Sequence, residues 1–119
     1  MTETYLIFDG ETLAASGDEG DTIESEEFSV TDKENLKIQL IGDGSSTNLT
    51  GTLKARCDPN KNVFGPYKEL FSGKDLTSND ENSDIVNVDV DGLTAVKLEL
   101  VNGAASTTDV DVTGGANDK

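Results

Sequence analysis

The chain has 119 residues, a formal net charge of −15 and 34% apolar residues. This length suits a single domain with a modest core, and so acidic a chain lacks the basic patches through which proteins bind nucleic acid or anionic membranes. It contains no His, one Cys and no Gly-x-x-x-x-Gly-Lys loop, which excludes the common catalytic pairs, zinc sites and phosphate-binding loops. We therefore expect neither an enzyme nor a cofactor.

The first part of the chain shows short strand patterns separated by turn residues. Residues 5–8 predict an opening strand, Asp9 and Gly10 a turn after it, and residues 12–16 a second short strand. Residues 26–30 predict a weak strand. The N-terminus has neither a basic start nor an apolar run, so we expect no secretion signal.

Two stronger patterns follow, in which apolar and polar residues alternate. Residues 36–40 form the first pattern, and its predicted inward residues are Leu36, Ile38 and Leu40. Residues 49–57 form the second, which ends at Cys57. As the only cysteine, Cys57 cannot form an internal disulfide, and we predict a buried small apolar side chain there.

In the rest of the chain, the strand pattern is weak over residues 67–84 and clearest over residues 86–112. Residues 67–71 predict a strand or a short turn, residues 72–84 a long mobile loop, and residues 114–119 a flexible tail. Between them, valines and leucines alternate with polar residues in the segments 86–90, 96–101 and 110–112. We expect Val88, Val96, Leu98 and Leu100 to be buried and Asp89, Lys97 and Asp111 to be exposed.

The order of these segments predicts the fold class. No segment keeps a helical period over two turns, and about eight short strands with regular turn signals are typical of an antiparallel β-sandwich, here jelly-roll-like. We assign residues 1–113 to this domain. If residues 85–90 and 95–100 formed a hairpin, an odd number of loop residues would be needed to bury both apolar faces; in a jelly roll the two strands can lie in different sheets.

Calcium is the only metal that the sequence brings into question. Residues 87–92 match the start of an EF-hand loop, but Leu98 occupies the place of the bidentate Glu, so a solvated strand face is the better interpretation. In the polar loop, Asp80, Asn82 and Asp84 are weak candidate ligands, and a hydrated loop without metal is the alternative.

A longer pattern runs from residue 35 to residue 103. It consists of an alternating strand, a Gly-rich turn, a second strand, the segment Phe64-Gly65-Pro66-Tyr67, a polar loop, and Gly-Leu-x-x-Val-x-Leu at residues 92–98. This pattern resembles small β-sandwich structural proteins of tailed viruses, which decorate capsids or build tail parts. The acidic composition resembles that of such structural proteins from viruses of halophilic archaea, because a salty medium screens the repulsion within so charged a chain.

The resemblance implies a capsid decoration or minor capsid protein, located in a virion that is assembled in the host cytoplasm. Its expected partners are copies of itself, most simply in a trimer, and other virion proteins such as the major capsid protein. Residues 2–8 are either an ordinary first strand or a segment that adds to a neighbour's sheet. The alternative function is a carbohydrate- or receptor-binding module, for which Phe64 and Tyr67 are the predicted exposed aromatic pair.

Overall fold

Nine strands build the protein in a computed structural model that describes residues 2–42, 46–76 and 83–119. Within these ranges there is no helix, and therefore none long and apolar enough to cross a membrane. The strands are β1 (Thr2–Leu13), β2 (Thr22–Glu24), β3 (Phe28–Ser29), β4 (Lys33–Gly42), β5 (Leu49–Arg56), β6 (Gly65–Lys74), β7 (Ser83–Asp89), β8 (Ala95–Asn102) and β9 (Thr108–Asp118).

The strands form two antiparallel sheets. Sheet A has the order β1-β9-β4-β7, and sheet B has the order β2-β8-β5-β6, with β3 also pairing with β8. Because β2 and β3 pair with the same strand, they act as two halves of one strand. β1 then pairs with β9, the combined β2 and β3 with β8, β4 with β7, and β5 with β6. This is the nested pairing of a jelly roll. The predicted all-β jelly-roll sandwich is confirmed.

The core lies between the sheets and follows the alternation in the sequence. Leu36, Ile38 and Leu40 of β4 are buried, as predicted. The predicted inward residues Val88, Val96, Leu98 and Leu100 are also buried. Each of these side chains stabilises the fold by about 1.5–3 kcal/mol through removal from water.

The prediction that the outward polar residues are exposed is correct for Asp89 and wrong for Lys97 and Asp111. Asp89 is exposed, whereas Lys97 and Asp111 are half-buried, because neighbouring side chains cover parts of both outer faces. Strands β7 and β8 lie in different sheets, so the loop-length argument for a hairpin does not apply to them.

The first strand is longer than predicted. β1 runs from Thr2 to Leu13, with register shifts between Leu6 and Phe8 and between Phe8 and Glu11. The predicted turn at Asp9 and Gly10 and the separate strand after it are therefore wrong. Gly10 has φ +62°, and its N–H donates to Asp111 Oδ1 at 2.7 Å. Gly10 therefore lies at an irregularity within a continuous strand, whereas the sequence predicted a turn that ends the strand.

The predicted flexible tail is also wrong for most of its length. Residues 114–118 belong to β9, which pairs with β1 on one side and β4 on the other. Gly114 is buried, and a Cβ there would lie 3.2 Å from Ile7 Cδ1. The small residues 114–116 thus permit close packing beneath β1 and do not indicate a loop.

Three further predictions need correction. Cys57 is exposed, because β5 ends at Arg56 and the alternation ends with it. In the predicted loop 72–84, residues 72–74 lie in β6 and Leu76 is buried; residues 77–82 lie outside the described residues, and β7 begins at Ser83. The predicted strand 26–30 is reduced to Phe28–Ser29, although Val30 is buried.

One end of the sandwich is held by a buried polar network around Asn102. Its Nδ2 donates to the carbonyl oxygens of Ala14 (2.9 Å) and Ser106 (2.8 Å), and its Oδ1 accepts from Ser46 Oγ (2.7 Å) and the Ala104 N–H (3.1 Å). Asn102 and Ser46 are both fully buried. A single side chain therefore joins the end of β1, the segment after β4 and the β8–β9 loop.

Candidate interaction surfaces

The predicted calcium ligands cannot be assembled into a site from the described residues. Asp80 and Asn82 lie outside those residues, as does the side chain of Asp84, whose backbone pairs with Leu40 at the start of β7. In the ranges that the structure covers, no group of three or more His, Cys, Asp or Glu side chains is placed to hold a metal ion. Leu98, at the place of the EF-hand Glu, is fully buried.

The predicted exposed aromatic pair does not form a common platform. Phe64 is half-buried, with Arg56 Cζ 5.5 Å and Lys97 Nζ 4.7 Å from its ring centroid. Tyr67 is 45% exposed, and its hydroxyl donates to the Asp89 carbonyl oxygen at 2.7 Å. The prediction of joint exposure is wrong for Phe64, because two cations cover its ring.

Cations that are far apart in the sequence meet on the outer face of sheet B. Lys54 and Lys97 are direct cross-strand partners, and Arg56 follows on the same face of β5. Two like charges in direct opposition are unfavourable, so this pairing needs compensating carboxylates.

Three glutamates supply this compensation. Lys54 Nζ lies 2.6 Å from Glu24 and 2.9 Å from Glu99, and Lys97 Nζ lies 2.8 Å from Glu24. Arg56 lies 3.5 Å from Glu27. These six residues, which we call the salt-bridge cluster, carry no net charge.

Hydrogen bonds within the salt-bridge cluster shift the pKa values of Glu24 and Lys54. The ammonium groups of Lys54 and Lys97 hold the pKa of Glu24 below its usual range, and Glu24 and Glu99 raise the pKa of Lys54. Each cation of the cluster has a carboxylate partner, and among the described residues Arg56 Nε is buried without a hydrogen-bond partner. The cluster therefore fastens β2 and the segment before β3 to β5 and β8.

Two tyrosines join the sheets at the two open sides of the sandwich. Tyr67 of β6 bonds to β7, as described above. On the other side, the Tyr5 hydroxyl donates to the Ser29 carbonyl oxygen at 2.8 Å, and the Tyr5 and Phe28 ring centroids are 4.5 Å apart. Burial, with Glu3 beside the hydroxyl, raises the pKa of Tyr5 well above its ordinary value.

Beside Tyr5 the sheets separate to form a cleft of about 790 Å³. It lies between β1 and the β2–β3 segment, and we call it the edge cleft. Its lining residues are Thr4, Tyr5, Leu6, Ile7, Phe8, Asp9, Glu11, Ile23, Glu24, Ser25, Glu26, Glu27 and Phe28. The cleft is thus apolar and acidic, and neither Lys nor Arg lines it.

The acidity of the edge cleft reflects an uneven distribution of charge along the chain. Residues 1–32 contain ten Asp and Glu and no Lys or Arg. Both walls of the cleft come from this segment. Among the described residues, the carboxylates of Asp9, Glu11 and Glu26 have no ion-pair partner, whereas Glu24 and Glu27, which also line the cleft, belong to the salt-bridge cluster.

The middle of the outer face of sheet A, between Asp89 at one end and Asp109 and Asp111 at the other, has the opposite character. Two rows of residues cross its four strands, and they are Leu6, Thr113, Gln39 and Ile85, and beside them Thr4, Gly115, Lys37 and Asn87. Lys37 is the only charged residue in these eight positions. Leu6 is 67% exposed, Ile85 63% and the adjacent Ile41 43%. We call this surface the face of sheet A.

Comparison with known proteins identifies the fold. No protein-family model matches the chain, and no curated protein sequence matches it significantly. Among solved structures, the SPBc2 prophage-derived protein YomS is 20% identical, with a TM-score of 0.58 over 98% of this chain and 94% of that chain.

Two other structures show how widely the fold is used. The infectious bursal disease virus VP2 subviral particle is 16% identical, with a TM-score of 0.66 over 98% of this chain and 32% of that chain. This chain therefore spans about one third of VP2. The Yersinia pseudotuberculosis-derived mitogen is 12% identical, with a TM-score of 0.59 over 100% of this chain and 88% of that chain. Identities this low establish a shared fold, and function has to be argued from the surfaces.

Proposed function

We propose that this chain is a structural protein of a virus particle, a capsid decoration or minor capsid protein that acts by binding copies of itself and other particle proteins such as the major capsid protein. The observation that carries the proposal is the whole-chain match to a prophage-derived protein, together with the match to a part of the viral protein VP2. The chain works by binding and not by catalysis.

The face of sheet A is the surface best suited to self-association. A chain of net charge −15 repels its own copies, and this repulsion is weakest where carboxylates are fewest. Exposed Leu6, Ile41 and Ile85 would gain from removal from water. We therefore place the contact between copies on this face.

The size of the face sets the strength of the contact. Four strands about 4.8 Å apart, over the roughly six residues that the two rows and Ile41 span, give a face of about 380 Å², less than the roughly 800 Å² per partner of a standard stable interface. The contact between two free copies is weak, and repeated contacts on a particle strengthen it through effective concentration. In a trimer, this face would contact a different surface of the next copy.

We expect Ile85→Lys to weaken self-association at least about tenfold, because it buries a charge in an apolar contact. Val63→Lys is the matched control: Val63 is 74% exposed and lies outside the strands, and the substitution changes the net charge equally. Sedimentation equilibrium in about 2 M KCl, where repulsion is screened, measures both variants and reports trimer or dimer by mass.

Two results would contradict this assignment. One is a wild-type chain that stays monomeric at the highest concentrations. The other is an equal effect of the two lysine substitutions, which would show that the face of sheet A has no special role.

A further inference from the structure

The free edge of β1 borders the edge cleft. β1 is the outermost strand of sheet A, and among the described residues it pairs at one edge only, with β9. From Thr2 to Leu6 the register with β9 is regular. Proteins usually protect such an edge with lysine, proline or a short strand, but β1 has 12 residues and neither of these residue types. Its outward backbone groups can therefore pair with another strand.

The floor of the edge cleft is apolar. Tyr5, Phe8, Ile23 and Phe28 line it, and of these four Phe8 is buried and the others are half-buried. An added strand would place every second side chain against this floor, because successive side chains of a strand point to opposite faces. The cleft therefore favours a segment in which apolar residues alternate with another type.

The charge on the rim of the edge cleft indicates which residues alternate with the apolar ones in the bound segment. Asp9, Glu11 and Glu26 rim the cleft and have no ion-pair partner among the residues that the structure describes. A second copy of β1 would bring only carboxylates, since residues 1–32 contain no cation. Lysine or arginine in the incoming segment would complement the rim.

We infer that the edge cleft binds an extended segment of another protein, in which lysine or arginine alternates with apolar residues, as an added strand on β1. This inference rests on the proposed function, because it names the chemistry of a particle partner. It differs from the self-association contact, since the added strand would pair with the free backbone edge of β1, whereas that contact uses the outward side chains of sheet A, among which Thr4 and Leu6 border both surfaces. Strand addition supplies affinity through the backbone, and the floor and rim supply specificity.

Synthetic peptides test the inference. The probe is acetyl-Lys-Val-Lys-Val-Lys-Val-Lys-amide, and its controls are the same peptide with the five central amides N-methylated and a Glu-Val peptide of equal length. Isothermal titration calorimetry in about 0.15 M KCl measures affinity, and amide hydrogen exchange reports pairing. We expect protection of residues 4–8, at least about tenfold weaker binding of the methylated peptide, and no binding of the acidic one.

Matched variants of the protein test the rim. The triple variant Asp9→Asn, Glu11→Gln, Glu26→Gln should bind the basic peptide about tenfold more weakly. The control triple variant Asp18→Asn, Glu19→Gln, Glu69→Gln removes the same charge from exposed positions outside the cleft and should change affinity less than about twofold.

Three outcomes would overturn the inference. Equal binding of the methylated peptide would mean adsorption by charge alone, and equal effects of the triple variants would remove the site from the cleft. Tighter binding of a peptide of residues 2–8 would make a second copy the occupant. The Ile85→Lys chain should bind the basic peptide as the wild type does, so failure here is distinguishable from failure of the proposed self-association.

Discussion

Replacing Asn102 by alanine should lower the free energy of unfolding by about 3 kcal/mol or more. The substitution removes all four hydrogen bonds of the side chain. It leaves the hydroxyl of Ser46 without this partner in a buried site, and the carbonyl oxygens of Ala14 and Ser106 without it in partly buried sites, where unpaired polar groups are costly. Urea denaturation followed by fluorescence or circular dichroism measures the loss.

The matched control for this substitution is Asn87→Ala. Asn87 is exposed on β7, so the same change in chemistry should alter stability by no more than about 0.5 kcal/mol. A double-mutant cycle with Ser46→Ala should also show coupling between the two buried residues. If Asn102→Ala and Asn87→Ala were equally mild, the polar network would not hold the sandwich end together.

The melting temperature should rise by several degrees or more between about 0.1 M and 2 M KCl, since screening weakens the self-repulsion of the chain. The net charge of −15 and the acidic residues 1–32 motivate this prediction. Salt also screens the salt-bridge cluster, but partly exposed ion pairs contribute only about 0–1 kcal/mol each. The screening of repulsion should therefore outweigh the screening of the ion pairs, so that added salt raises the melting temperature. Thermal scans by circular dichroism measure this change.

A charge-reduced chain provides the control for the salt effect. The triple variant Asp9→Asn, Glu11→Gln, Glu26→Gln should melt higher than the wild type in low salt and should gain less from added KCl. A wild-type melting temperature that stays constant across the salt range would refute the interpretation of the chain as salt-adapted.

Local alternation predicted those parts of the fold in which one strand face is buried. The pattern Leu36, Ile38, Leu40 and the valines of the C-terminal strands were placed correctly because their inward positions are fixed by the two-residue period of a strand. Glycine was misleading for the opposite reason. Gly10 and Gly114 carry no side chain, so the sequence alone does not separate a turn from an irregularity or a close approach within a strand.

The surfaces were harder to predict because they depend on pairing between distant segments. The cations appear scattered in the sequence, and only the β5–β8 register brings Lys54 beside Lys97. Asn102 gave no signal, since its partners come from three separate loops. The edge cleft was missed for the same reason, although the absence of cations from residues 1–32 was visible in the sequence.

The proposal that this chain is part of a virus particle is tested most directly by where the chain is found. Particles from cells that carry its gene would be purified on a density gradient, and the chain would be quantified in each fraction by mass spectrometry. We predict that it bands with the major capsid protein in a fixed copy ratio, and that Ile85→Lys lowers this ratio while Val63→Lys does not. A chain that remains in the particle-free fractions while the other capsid proteins band together would contradict the proposal.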